Sequence, residues 1–294
     1  VGGNGNLDNS VNSFLGGGLS NTMNTNGDDS TLVGGRGNTT SSNYDFLGGG
    51  WANLIDTSSD QSTLGGGIGN SIRADNSFIG GGYHNTINPG ASYGVIGGGQ
   101  TNFISSNATN AVALGGSNSG PEKSYGVTIG GNYTDAHGIG WVCMAGMTGF
   151  TGGTNLGASQ FCIIPYKIQT SGAVAVRLTT DGNAAGANNC GAFYANSSYA
   201  GTADVNALDA SATTVNEAWI GWAFQFAEPS NAASSVINVG TKPTPFSNGT
   251  VTGSDIALTA DTTNGCPNLS FTPPTGNTDQ WNVTGVMRVT MTRK

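Results

Sequence analysis

The stretch LGGGWANLI, Leu47 to Ile55, has the glycine density of a loop that cradles a phosphate, where residues without Cβ let backbone N–H groups converge on an anion. A cofactor loop is needed once, however, and near copies follow as LGGGIGNSI, IGGGYHNTI and IGGGQTNFI. None of the triplets is followed by Lys-Ser/Thr, a helix-forming segment or a ribose-binding carboxylate in a βαβ setting, so no nucleotide or other cofactor is expected. The remaining chemistry-bearing residues are sparse. Sugar-cleaving acid–base chemistry needs paired carboxylates along a broad groove; the chain has only three Glu, Glu122, Glu217 and Glu228, and its coils are too short to form such a groove. His84 and His137 lack a Ser or Cys partner pattern nearby, and His84 takes the place that Ala52 and Gly69 fill in neighbouring repeats, which predicts an exposed, inert corner. No catalytic residue is assigned and no enzyme is expected.

Metal ligation is no better supported. Cys143, Cys162, Cys190 and Cys266 are irregularly spaced with no C-x-x-C or Cys/His cluster, so no zinc site is expected. Two readings of them stay open: disulfides or, more plainly, small buried hydrophobes. The opening GGNGNLD approaches the calcium-roll pattern G-G-x-G-x-D, but Asp8 comes one place late and later repeats lose the Asp, so no metal is expected.

The elements that carry these residues are repeats. Glycine pairs start at Gly2, Gly16, Gly34, Gly48, Gly65, Gly80, Gly97, Gly115 and Gly130, at intervals of 14 to 18 residues. An aliphatic residue precedes every one, among them Leu47 and Ile79, and most are followed five residues later by Asn (Asn21, Asn53, Asn70, Asn85, Asn102). A period this short accommodates two short strands and two turns, one coil of a β-roll or β-solenoid, and the glycine density excludes helix. The aliphatic residues are expected to point inward, with Asn, Asp and Ser at the corners. Each coil offers few large apolar side chains, worth roughly 1.5–3 kcal/mol each, against roughly 1–2 kcal/mol of ordering per backbone residue. One thread is therefore marginal alone, and the triplets, Gly48, Gly65, Gly80 and Gly97 among them, are expected to let three parallel chains approach closely as a homotrimer.

From about Gly138 the repeat gives way to a glycine-broken neck, and then to alternating runs such as AWIGWAFQF, DIALTADTTNG and WNVTGVMRVTMT. Ile220, Trp222, Phe224 and Phe226 are expected on one inward side of a strand. Strands at this spacing predict an antiparallel β-sandwich. The chain is thus all-β, with a repeat shaft over 1–137, a neck over 138–158 and a sandwich over 159–294.

With 294 residues, net charge −8 and nine scattered Lys and Arg, no basic face exists for nucleic acid or an anionic membrane. No long apolar run suggests a membrane helix, and the start inside a repeat predicts a processed piece of something longer.

The repeat form S-x-[LIV]-GGG-x-x-N-x-[IVA], the neck, and then Leu178 to Gly182, Trp222 to Phe224, Asn231 to Gly240, Ala257 to Gly265, and Trp281 with Val283 to Val289 resemble the distal end of bacteriophage tail fibres. The order holds over nearly the whole chain, departing at Cys266-Pro267 and in the loop FTPPTGNTD. The array is also similar to the head repeats of trimeric autotransporter adhesins. The resemblance implies a trimeric receptor-binding protein on the virion surface, extracellular and made in the host cytoplasm. It would join other tail or virion proteins N-terminal to this segment and hold a host surface polysaccharide or outer-membrane protein. The alternatives are a purely structural trimeric fibre or capsid decoration, or a cell-surface adhesin. Recognition is expected on the long connections Ala207 to Asn216, Lys242 to Ser254 and Pro273 to Asp279, with Asp209, Lys242, Phe246, Asn248, Asn277 and Asp279 as ligand contacts, because exposed loops on a rigid scaffold usually carry binding.

Overall fold

The computed structural model describes residues 2–147, 159–171, 174–184, 189, 193, 196–210, 216–248, 253–276 and 279–293. It divides into two compact units, Val1–Ala136 with Cys143–Met147, and His137–Val142 with Thr148–Lys294.

The first unit is a β-solenoid of about nine coils, each contributing a rung to three parallel ladders. One ladder stacks two-residue strands such as Phe46–Leu47, Thr63–Leu64 and Phe78–Ile79 in register. A second stacks Leu54–Ile55, Ser71–Ile72 and Thr86–Ile87. The third is a line of single-residue bridges through Leu19, Arg36, Trp51, Ile68, Tyr83 and Gln100, so a coil has three sides where the sequence predicts two strands. Alternation in these short strands sends one residue of each pair inward, giving a column of Leu15, Leu32, Leu47, Leu64, Ile79 and Ile96 facing another of Met23, Ile55, Ile72, Ile87 and Ile104.

The recurring asparagines line the core, while other Asn, Asp and Ser residues take left-handed corners as expected, Asn12, Ser20, Asp29, Asn76 and Asn110 among them. Asn53 donates to the Gly49 carbonyl in its own coil (2.8 Å) and to Gly67 in the next (2.9 Å), while its side-chain oxygen accepts the Asn70 N–H at 2.9 Å. Asn21, Asn38, Asn70, Asn85 and Asn102 repeat this arrangement, and Ser119 and Thr134 continue the line. Asn fits because a buried amide can donate to two carbonyls and accept one N–H at once; the next-coil carbonyl also takes a backbone N–H, as Gly67 does from Trp51 at 2.9 Å, so the amide serves chiefly the Gly49 carbonyl and the Asn70 N–H. The corner places belong to residues in the left-handed region: Ala52 (φ 55°), His84 (φ 54°) and Thr101 (φ 53°) occupy one such corner.

The close approach that the glycines permit is between successive coils of one chain, which corrects the sequence-based reason for expecting three. A Cβ on Gly50 would lie 2.1 Å from the Gly67 carbonyl oxygen, and one on Gly48 would lie 2.3 Å from that of Gly65. Gly65 and Gly80 face the next coil in the same way, at 2.4 and 2.5 Å, whereas Gly97 has only ordinary contacts. The third triplet position also needs φ near +90°, as at Gly50 and Gly67. Coils with two glycines are aligned by that third position, so Val33, Leu114 and Ile129 take the first place and face outward. Leu32, Ala113 and Thr128 are buried in their stead, a second correction.

The second unit contains β1 (Ser159–Ser171), β2 (Val176–Arg177), β3 (Ser197–Asp209), β4 (Asn216–Glu228), β5 (Val236–Val239), β6 (Phe246–Asn248), β7 (Asp255–Asp261), β8 (Cys266–Thr272) and β9 (Gln280–Arg293). The larger antiparallel sheet runs β1-β9-β3-β4-β5 with β6 also on β4, and the smaller runs β2-β8-β7. They pack face to face through Phe271 of the smaller sheet, whose ring lies 6.2 Å from Trp219 and 5.4 Å from Trp281. Gly285 leaves room there, since a Cβ would meet Leu269 at 3.1 Å. A second aromatic cluster joins Phe193 to Trp141, Tyr199 and Phe226 at 5.6, 4.2 and 5.1 Å.

Trp222, Phe224 and Phe226 face inward, but Ile220 does not: it is 57% exposed. The β3–β4 register shifts between Ala203 and Val205, so that Ile220 and Gly221 together oppose Asp204, and Trp219 takes the inward place. Gly221 at φ 75° makes this bulge possible. Of the two readings of the cysteines, the disulfide one holds for Cys143, Cys162 and Cys266, which are buried and disulfide-bonded; Cys190 lies outside the described residues.

Candidate functional site

The exposed edge of the second unit is built on β4. Phe246 of β6 pairs with Ala218 and Asn248 with Asn216. Cross-strand partners share a face, so Phe246 projects from the side away from the aromatic core, and it is 70% exposed. Lys242 approaches the same edge by an ion pair to the exposed Asp255 carboxylate. The expected connection from Ala207 is strand as far as Asp209, which is in register with Trp281 and only 4% exposed. Asp279 is half-buried at the approach to β9. Asn277 lies outside the described residues, and of Asn248 only the backbone is described. The structure therefore brings Phe246 and Asn248 onto one strand with Lys242 near its start, and it places Asp209 within the sheet.

The carboxylates nearby are engaged in holding the edge. Glu217 is buried on β4 and accepts the Ser254 hydroxyl; burial pushes its carboxyl up to about 6, with the Asp255 charge acting in the same direction. Burial also raises Glu228. Asp261 is opposite in sign: burial opposes its ionisation, but hydrogen bonds from Asn264, Arg177 and Thr263 outweigh it and hold the carboxyl well below the usual range. The Arg177 guanidinium also reaches Cys266 Sγ at 2.9 Å, so this group ties β2, β7 and β8 together.

The sequence reading missed Asp204, Asn206, Thr284 and Arg288, which project outward from β3 and β9 around the bulge. Strand alternation marks them as solvent-facing, but only the glycine in mid-strand, Gly221, signals that the sheet surface is broken beside them.

The solenoid offers a different surface. The bridge line exposes Leu19, Trp51 (53%), Ile68 and Tyr83, interspersed with Arg36 and Gln100, and the His84 ring meets Tyr83 edge-on at 4.2 Å. Another outer column alternates Phe14, Thr31, Phe46, Thr63 and Phe78, with its three Phe exposed.

No protein-family model matches the chain, and no curated protein matches it. Among solved structures, the tailspike protein of Acinetobacter phage vB_ApiP_P1 is similar at 10% identity and a TM-score of 0.22, covering 96% of this chain and 66% of that one. This chain thus spans just under two thirds of that protein's length, and a likeness at that score does not establish a shared fold.

Proposed function

We propose that this chain is the distal part of a phage tail fibre, a homotrimer on the virion surface that attaches to a host polysaccharide or outer-membrane protein through residues 159–294 without turning it over. The observation that carries this reading is the contrast in how side chains are used. Exposed apolar residues of the solenoid recur along its stacked columns, with the inward positions committed to self-stacking as a shaft requires, whereas the second unit exposes Phe246 and Ile220 beside polar side chains on a sheet held by two aromatic clusters. Weak single contacts suffice when a trimer, and several fibres per particle, present them together.

Replacing residues 242–254 with a Gly-Ser linker tests the assignment. The variant is expected to keep its oligomeric mass and lose attachment to a panel of bacterial strains that the unaltered protein binds. Retained attachment would transfer the function elsewhere. One observation favours a second reading, attachment along the shaft: Trp51 and Tyr83 are stacked in register with Ile68 between them and exposed. In that case Trp51→Ala with Tyr83→Ala would abolish attachment and the linker variant would not.

A further inference from the structure

The outward face of the larger sheet carries a hollow of about 250 Å³ in the middle of the strands. Its origin can be followed residue by residue. Across neighbouring strands Lys167, Thr284, Asn206, Ala218 and Phe246 stand opposite one another in a single row. In the next outward row Pro165, Val286 and Asp204 meet the bulge, where Ile220 and Gly221 replace a single residue. Ala218 and Gly221 offer almost no side chain there, and Gly221 has open space where its Cβ would be. Ile220 and Val286 form apolar walls.

The polar groups are fixed rather than loose. Asp204 accepts the Gly221 N–H at 2.7 Å through one oxygen and takes the Arg288 guanidinium on the other. Arg288 remains exposed, so part of its donor fork faces solvent, as do the Asn206 amide and the Thr284 hydroxyl. The paired charges cancel. An anion would meet Asp204, a cation would meet Arg288, and a chain of net charge −8 disfavours a polyanion. Mixed donors and acceptors around an apolar wall instead complement a neutral ring with hydroxyls on its rim and C–H groups on its face. The volume is below the roughly 300–1,000 Å³ of a drug-sized pocket, which suits one ring of a longer chain.

We propose that this hollow binds a neutral pyranose unit of a bacterial surface polysaccharide. Ile220 and Val286 lie against the ring, Asn206, Thr284 and Arg288 hydrogen-bond its hydroxyls, and Phe246, at the end of the row, stacks on a neighbouring unit. This rests on the reading of residues 159–294 as the host-binding part and names its ligand class.

The test uses the full chain on an array of purified neutral and acidic O-antigens and capsular polysaccharides, with whole-cell attachment measured in parallel. Asn206→Ala with Thr284→Ala, and separately Phe246→Ala, change exposed side chains only, and an unchanged unfolding midpoint verifies the fold. Binding to a neutral polysaccharide is expected to weaken on the order of tenfold or more in the double variant and by about three- to tenfold in Phe246→Ala. Neutral-polysaccharide binding that survives both variants overturns the site while leaving host attachment intact. Cell attachment with no neutral polysaccharide bound overturns the ligand class alone. Absence of both overturns the site and the host-binding reading together.

Discussion

In the solenoid, residues that touch are one coil apart in sequence, as Asn53 and Asn70 are at a separation of 17; in the second unit Gln169 meets Asn282 across 113 residues. The two regions therefore solve the same problem differently. A coil satisfies its backbone through the next coil and fills its interior with one or two aliphatic side chains, so each interface is thin, repeated and nearly independent of distant ones. The sandwich closes long loops first and recovers that cost only when Trp219, Phe271 and Trp281 meet between its sheets. Damage to a coil should remain local in origin and depend on geometry at the ångström level, whereas damage to the sandwich should be shared across it.

The sharpest break in this comparison is a glycine. Gly50→Ala would place a Cβ 2.1 Å from the Gly67 carbonyl at φ 88°, while Gly66→Ala, at φ 147°, finds nothing closer than 3.7 Å. The first is expected to cost more than about 3 kcal/mol or prevent the array from forming, and the second about 1 kcal/mol. Chemical denaturation of the two variants checks the ranking, and equal losses would mean that coil contact is not what the triplets serve.

Next come one residue from each region. Trp281→Ala is expected to cost about 3–5 kcal/mol, spread over the whole sandwich, and Asn53→Ala about 2–4 kcal/mol, because it strips the Asn70 N–H and the Gly49 carbonyl of this partner, while the Gly67 carbonyl keeps the Trp51 N–H. Hydrogen exchange distinguishes them: Asn53→Ala should raise exchange most in the coils on either side of it, and Trp281→Ala throughout β3, β4, β8 and β9. A uniform response of the solenoid to Asn53→Ala would contradict the picture of thin, repeated interfaces.

Asp45 supplies a pH handle confined to the solenoid. It stands in a column with Ser30, Ser62 and Ser77, where burial pushes its carboxyl up to about 7 against hydrogen bonds from Ser42 and Ser62. A carboxyl with a raised folded-state value holds its proton in the folded chain after the unfolded chain has released it. Stability therefore falls as pH rises from the ordinary carboxylate range to about 7, and levels off above. Asp45→Ser should flatten that slope and stabilise the array at pH 8 by roughly 1–3 kcal/mol. Thermal melts from pH 4 to 8 test this, and an unchanged slope would assign the dependence to other groups.

The smallest effect expected is a gain. Thr40 occupies the Met23–Ile55 column, fully buried, with its hydroxyl unpartnered among the described residues. Thr40→Val should stabilise the array by about 1 kcal/mol, read as a higher denaturation midpoint.

What could be read in the residue order alone is what repeats. The glycine period set the coil and the aliphatic residue before Gly48 and Gly80 is buried in each case; the recurrence of Asn was visible too, but that it forms a ladder in the core, with Asn6 and Asn38 as members, emerges only in three dimensions. Such features are legible because each rung's environment is the next rung, so local sequence carries its own tertiary context. In the sandwich the alternation of β9 and the aromatic run of β4 were visible, but the placement of Ile220 outside, the pairing of β1 with β9 and the bonded state of Cys162 and Cys266 were not. The β1–β9 pairing depends on which distant strand lies alongside, and the placement of Ile220 on one bulge opposite Asp204, which reverses the faces of the residues on either side of it. The hollow beside that bulge belongs to the same class: Asp204 and Ile220 sit on consecutive strands but meet through a bulge, and Arg288 joins them only when β9, 84 residues on from Asp204, is aligned with β3, a register that no spacing along the chain encodes.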